Sequence, residues 1–319
     1  MDVRELWRAR VEGRFTLKHW VYAWLVSARL FAVPWVALYT VFGALLAGLR
    51  DPVATLGAVL AASLALLASH FRNNYRDVEL GVDRYVESIE EAERVVSTAK
   101  PYTAAAWIVP LRITPVWFQK ANEALCLALS IAVYVLLVNP FERPLTVVPV
   151  ALGLAMALTY TDFFKPSGRG EMAIFVGHGF STTTLGYLTQ SDDIVRAVLA
   201  GVAPGFISAL AYSVDQYVDI KTDFVRRVRN IAEAWFNSRL PLGLYVLASY
   251  FAFLHLVTIM VVAGVYPVHV MLVYVATPAV ILSSARVEYD RENGLRDAVL
   301  SLVVLVPGLM ALGAWLAQT

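Results

Sequence analysis

Residues 53–83 read VATLGAVLAASLALLASHFRNNYRDVELGVD. The first part, 53–71, is an apolar run long enough to cross a bilayer as a helix, which takes about 17–25 residues. The second part sets Asn73, Asp77, Glu79 and Asp83 directly against its end. Carboxylates beside hydrocarbon are costly unless something cationic offsets them. The arrangement recurs once: Asp215-Gln216-Tyr217-Val218-Asp219-Ile220-Lys221-Thr222-Asp223 closes the apolar run 194–213. Here the acids stand four residues apart, so a helix returns Asp215, Asp219 and Asp223 to one stripe. Like charges stacked at that spacing repel. A divalent cation relieves the repulsion, and oxygen-only donors suit Mg²⁺.

The remainder of the chain agrees with a membrane reading. Of 319 residues, 59% are hydrophobic and 16% charged, with a mean hydropathy of +0.62. Ordinary soluble domains are about 45–50% apolar and about 25% charged. Nine apolar spans can be drawn: 21–48, 53–71, 121–139, 145–161, 171–190, 194–213, 240–262, 266–285 and 295–317. The apolar stretch 102–118, with Pro110, Arg112 and Pro115, reads as interfacial or as a broken extension of the third span. The expected fold is therefore all-α and polytopic. It is a nine-transmembrane-helix bundle, one domain over 1–319, with a central cavity open to the cytoplasmic side.

Charge sets the orientation. With the N-terminus cytoplasmic, 20 of the 26 Lys and Arg fall in segments on that side and three, Arg50, Arg143 and Arg196, on the other. Such a bias is what orients multi-pass proteins in the cell membrane. Both acidic runs then lie on the cytoplasmic side, after the second and sixth spans, as a weak internal repeat of 73–83 and 215–223. Residues 1–20 carry charges of both signs, with no short apolar stretch and small-residue cleavage site close behind. They read as a cytoplasmic amphipathic lead-in rather than a signal peptide.

A net charge of +1 gives no electrostatic footprint for nucleic acid. Membrane lipids are the expected surroundings, and no obligate protein partner is evident. One cysteine, Cys126, excludes an internal disulfide and a multi-cysteine metal centre; in an apolar run it reads as a small buried hydrophobe. His19, His70, His178, His255 and His269 are scattered, with no metal-ligand spacing among them.

The candidate site residues follow from the two acidic runs. Asn73 and Asp77 lie one helical turn apart, and Gly81 permits a bend that swings Asp83 back towards them. Asn73, Asp77 and Asp83 form one ligand set for Mg²⁺; Asp215, Asp219 and Asp223 form the other. Two such ions can clamp one pyrophosphate and neutralise it as it departs. Arg76, Arg84 and Lys221 are available to cradle phosphate, as are Lys165 and Arg169 in a Gly-rich turn before the fifth span. Arg29 is the one basic residue inside a span. It is either an anion ligand or half of a structural ion pair.

Within these motifs the chain resembles the UbiA-type intramembrane prenyltransferases, which carry Asp-rich motifs after the second and sixth of nine helices. The run from Asn73-Asn74-Tyr75 to Gly81-Val82-Asp83 is similar to the first motif of the 1,4-dihydroxy-2-naphthoate branch, in menaquinone biosynthesis. Ala28-Arg29 with Pro34, and Gly168-Arg169-Gly170-Glu171 with Gly177 and Gly186-Tyr187, look like other signatures of that branch. Asn74 departs from the usual Asp, and Phe224-Val225-Arg226-Arg227-Val228-Arg229 stands where the family has Gly-Lys-x-Thr-Leu.

The resemblance implies an Mg²⁺-dependent enzyme that moves an isoprenyl group from an isoprenyl diphosphate to an aromatic acceptor. Geranylgeranylglyceryl phosphate, of ether-lipid synthesis, is the alternative acceptor. A transporter is the alternative of another class, but transporter sites lie near the bilayer midplane, whereas these acids cluster at one face.

Overall fold

The structure is a computed structural model that describes residues 2–98, 104–225 and 241–319. The described residues are helical or irregular, with no strand among them. All nine expected spans are helical. Among the described residues, eight helices are long and apolar enough to cross a membrane, from Leu17–Leu46 through Asn293–Leu316. The segment not among them is the fifth, Gly170–Leu188, and its surroundings explain why. Every residue from Ser181 to Leu188 is buried. A helix packed on all sides by protein has no lipid to satisfy and can carry Ser181 and Thr182–Thr184.

The chain divides into two compact units. Met1–Val33 with Leu64–Leu129 make the first, and Pro34–Ser63 with Ser130–Thr319 the second.

The first unit begins with helix α1 (Val3–Val11), started by a reciprocal capping box between Asp2 and Glu5. Its apolar face does not lie on a membrane. Val3, Leu6 and Trp7 are buried with Ala23 of α2 (Leu17–Ala28) and with Ala92 and Val96. Ile108, Leu111 and Ile113 complete that core. Where it is described, the 102–118 stretch holds a 3₁₀ turn, Ala104–Trp107, and its last residues begin the helix Val116–Val133 of the third span, so it is a broken extension of that span. Between the two lies an irregular, mostly buried segment from Ile108 to Thr114, tied by the Val86 N–H to the Pro110 carbonyl at 3.0 Å. A second core joins Ala28, Leu67, Ala68, Phe71 and the buried Cys126.

In the second unit, the long helix Ile194–Val225 supplies Ala197, Ala200, Ala203, Ile207, Leu210 and Val214 to one large core. Close approach in this unit depends on glycine. A Cβ at Gly186 would collide with the Thr40 carbonyl of α3 (Val33–Leu46), and one at Gly43 of the same helix with the Thr183 carbonyl. Small residues of this kind let membrane helices meet backbone to backbone. At one end of the unit, Arg143 pairs with Asp51 at 2.6 Å. The Gln190 side-chain oxygen accepts the backbone N–H groups of Arg50 and Asp51. The Ala54 N–H, and then the Arg143 guanidinium, hold the Asp51 carboxyl below its usual range.

Candidate functional site

The first acidic set is built on α4 (Pro52–Glu79), a helix whose apolar residues run on into the polar turns Arg72–Glu79. Asp77 is buried, at 6% exposure, and Asn73 is half-buried. Beyond Glu79 the chain turns on Gly81, whose φ of 70° is the left-handed region that glycine adopts without penalty. The turn closes as the Asp83 N–H donates to the Asp77 carbonyl at 2.8 Å. The bend at Gly81 thus returns the backbone of Asp83 to that of Asp77, and Asn73 lies one helical turn before Asp77 on the same helix.

What holds this set in place was less legible. The first span breaks at Arg29, which adopts φ 49°, ψ 51° and ends α2. A helix broken at membrane depth leaves carbonyls that need donors. Two side chains one turn apart on α4 supply them. Asn74 Nδ2 donates to the Ser27 carbonyl at 3.1 Å, and His70 Nδ1 to the Ala28 carbonyl at 2.8 Å. The Asn74 amide thus caps a broken helix, which an ionised carboxylate without an N–H could not do. Its other end accepts from the Arg29 guanidinium at 3.4 Å.

Gln119, also buried, binds Asn74, Ser27 and Thr114 and completes the network. Among the described residues no carboxylate pairs with Arg29, and its Nε is buried without a partner. The structural ion pair considered for Arg29 is absent among those residues.

The proposed phosphate cradle divides. Arg76 lies 2.7 Å from Glu79, which also meets Lys120 at 2.7 Å. Arg84 is exposed and binds Glu91 at 2.5 Å, with Glu87 nearby at 3.7 Å. Both are engaged by neighbouring acids. The residues that the sequence did not single out are Glu123 and Gln119, on the helix Val116–Val133. Glu123 takes Arg72 at 2.8 Å and the Tyr75 hydroxyl at 2.6 Å, pinning one side of α4 while Asn73 and Asp77 occupy other positions of the same turns. Their only sequence signal was a carboxylate and an amide set four apart in an apolar run.

The second set lies in the other unit. Asp215, Asp219 and Asp223 belong to one unbroken helix, Ile194–Val225, so their backbone positions recur on one stripe. Asp215 is exposed. The side chains of Asp219, Lys221 and Asp223 lie outside the described residues.

Lys165 and Arg169 flank a turn closed by Gly168 at φ 70°, with the Arg169 N–H donating to the Phe164 carbonyl at 2.9 Å. Arg169 is exposed, Lys165 half-buried. Gly170 follows because a Cβ there would collide with the Tyr212 hydroxyl, which accepts from Tyr160 at 2.9 Å.

Among the described residues, no group of three or more His, Cys, Asp and Glu stands within reach of one metal ion. The first set offers two carboxylates and an amide oxygen. That suits Mg²⁺, which commonly takes one or two carboxylates and completes its shell with water and substrate phosphate. The donor chemistry and the buried Asp77 fit the ion.

The sequence matches no family profile and no curated protein. Two solved structures share its architecture. The apo structure of a UbiA homolog from Aeropyrum pernix K1 superposes with a TM-score of 0.59 at 18% identity, over 90% of this chain and 98% of that one. A digeranylgeranylglyceryl phosphate synthase superposes at 0.57 with 13% identity, over 92% and 98%. The chain has the UbiA-type fold. At these identities the likeness concerns the path of the backbone.

Proposed function

We propose that this chain is an Mg²⁺-dependent intramembrane prenyltransferase of the UbiA type. The observation that carries the reading is a buried carboxylate, Asp77, one helical turn after Asn73 and bonded through its backbone to Asp83, at the end of an apolar helix in a UbiA-type fold. In this reading Asn73, Asp77 and Asp83, and in the second unit Asp215, Asp219 and Asp223, hold Mg²⁺ against an isoprenyl diphosphate. The bound ions supply charge neutralisation of the leaving diphosphate. Arg29, with its unpartnered Nε, adds fixed positive charge for phosphate oxygens. Lys165, Arg169 and Lys221 are further candidates; Arg76 and Arg84 rank behind them because neighbouring acids already engage them.

The reaction breaks the allylic C–O bond, and its electron pair leaves on the diphosphate. The allylic cation is then captured by a ring carbon of the acceptor, which gives up its proton to restore aromaticity. 1,4-Dihydroxy-2-naphthoate is the first acceptor to test, on the resemblance of 73–83 to that branch. A second reading has support of its own: the likeness to a digeranylgeranylglyceryl phosphate synthase favours capture by the hydroxyl of geranylgeranylglyceryl phosphate. In both, the acids and the N-terminus face the cytoplasm, as the Lys and Arg bias requires.

The test is geranylgeranyl diphosphate with Mg²⁺ and each acceptor in detergent, with mass analysis of the product and assay of released pyrophosphate. Expected are a prenylated product with one acceptor, and its loss in Asp77→Ala and in Asp219→Ala with the thermal transition retained. Turnover within about threefold of the parent in both variants, little more than 0.6 kcal/mol of barrier, would defeat the metal assignment. Absence of product with every acceptor would favour the transporter class.

A further inference from the structure

The lead-in helix raises a separate question, because its apolar face is buried inside the first unit and its charged face is left outward. Gly13, at φ 69° with open space where a Cβ would go, reverses the chain between α1 and α2. The Arg14 N–H closes that turn on the Ala9 carbonyl at 2.9 Å. The reversal sets Arg8 of α1 beside the first turns of α2, and a cavity of about 590 Å³ opens there. Arg8, Arg14, Lys18, His19 and Tyr22 line it, with Glu5 as the one acid.

The charges in this cavity do not cancel. Glu5 serves the capping box at the start of α1. Arg14 pairs with Glu12. Arg8 and Lys18 have no carboxylate partner among the described residues. His19 Nδ1 accepts the Thr16 N–H at 3.0 Å, so a neutral ring carries its proton on Nε2 and is a donor there. Lys18 and Tyr22, four apart, share a face of α2. The lining is thus rich in donors and net positive, which is the chemistry that receives a phosphate oxyanion.

Its place in the chain bears on where that phosphate comes from. Leu17, Val21 and Leu25 form the adjoining stripe of α2, and all three are exposed, Leu17 at 78%. An apolar stripe beside a cationic pocket, at the start of the first span, matches a molecule with a phosphate head and acyl chains. Basic residues at such a position attract anionic lipids.

We propose that this cavity binds a phosphate-bearing anion at the start of the first span, in the form of an anionic phospholipid headgroup or of free phosphate. The full chain would be placed in nanodiscs of mixed phosphatidylcholine and phosphatidylglycerol, extracted, and scored for retained lipid by native mass spectrometry. A parallel arm titrates inorganic phosphate into the chain in pure phosphatidylcholine nanodiscs. Arg8→Gln is expected to weaken the retained ligand about fivefold, and Arg8→Gln with Lys18→Gln about 25-fold, roughly fivefold per cation.

Arg4→Gln is the control, since it removes the same charge one turn away on α1 but outside the cavity. Retention of phosphatidylglycerol that depends on Arg8 and Lys18 and not on Arg4 supports the lipid source. Phosphate binding with the same dependence and no lipid preference supports the free ion. Equal losses in Arg4→Gln and Arg8→Gln, or no binding in either arm, overturn the proposal. All three side chains are exposed, and an unchanged thermal transition shows that each variant is folded.

Discussion

Removing Glu123 tests the account of how α4 is held. Its carboxylate lies 2.8 Å from Arg72, with side-chain exposures of 9% and 22%, and accepts the Tyr75 hydroxyl at 2.6 Å. Breaking a fully buried ion pair from one side costs about 3–5 kcal/mol, because the remaining charge stays in a poor solvent. Arg72 keeps some access to water, which places the charge cost near the lower end, about 3 kcal/mol. The Tyr75 hydroxyl, buried and short of an acceptor, adds about 1 kcal/mol. Glu123→Leu is therefore expected to lose about 4 kcal/mol.

At about 2–4 °C per kcal/mol, that is a fall in Tm of about 8–16 °C, read from thermal unfolding of matched detergent samples. The penalty belongs to the polar groups that lose Glu123 and not to the missing carboxylate. The triple variant Arg72→Met, Tyr75→Phe, Glu123→Leu should accordingly recover most of the loss, as apolar replacement of a buried pair often does. A Glu123→Leu protein within about 1 kcal/mol of the parent, or a triple variant no better than the single one, refutes the reasoning.

Two further outcomes are expected. At Gly81 the space for a Cβ is open, so Gly81→Ala should cost only the left-handed backbone, about 1 kcal/mol. Gly81→Asn should cost less, and equal Tm values for the two would contradict that origin. The Asp51 carboxyl is held below its unfolded value by the Ala54 N–H and Arg143. Its contribution to stability is present above the unfolded pKa of about 3.9 and is lost as pH falls through the folded value. The gap in Tm between the parent and Asp51→Asn should be constant near neutrality and close under acid conditions; a gap unchanged throughout would remove Asp51 from that account.

Apolar run length was enough to outline the helical bundle, since a bilayer demands about 20 apolar residues per crossing whatever their partners. The same local logic found the bend at Gly81 and the stripe of Asp215, Asp219 and Asp223, because each follows from backbone geometry within one segment. Tertiary structure decided whatever depends on residues distant in the chain. It made Asn74 a cap for the span broken at Arg29, engaged Arg76 and Arg84 with Glu79 and Glu91, and turned the apolar face of Val3–Val11 into a core. A side chain's chemistry is written in the sequence, but the group it must satisfy is supplied by whatever packs against it, and burial makes that partner count.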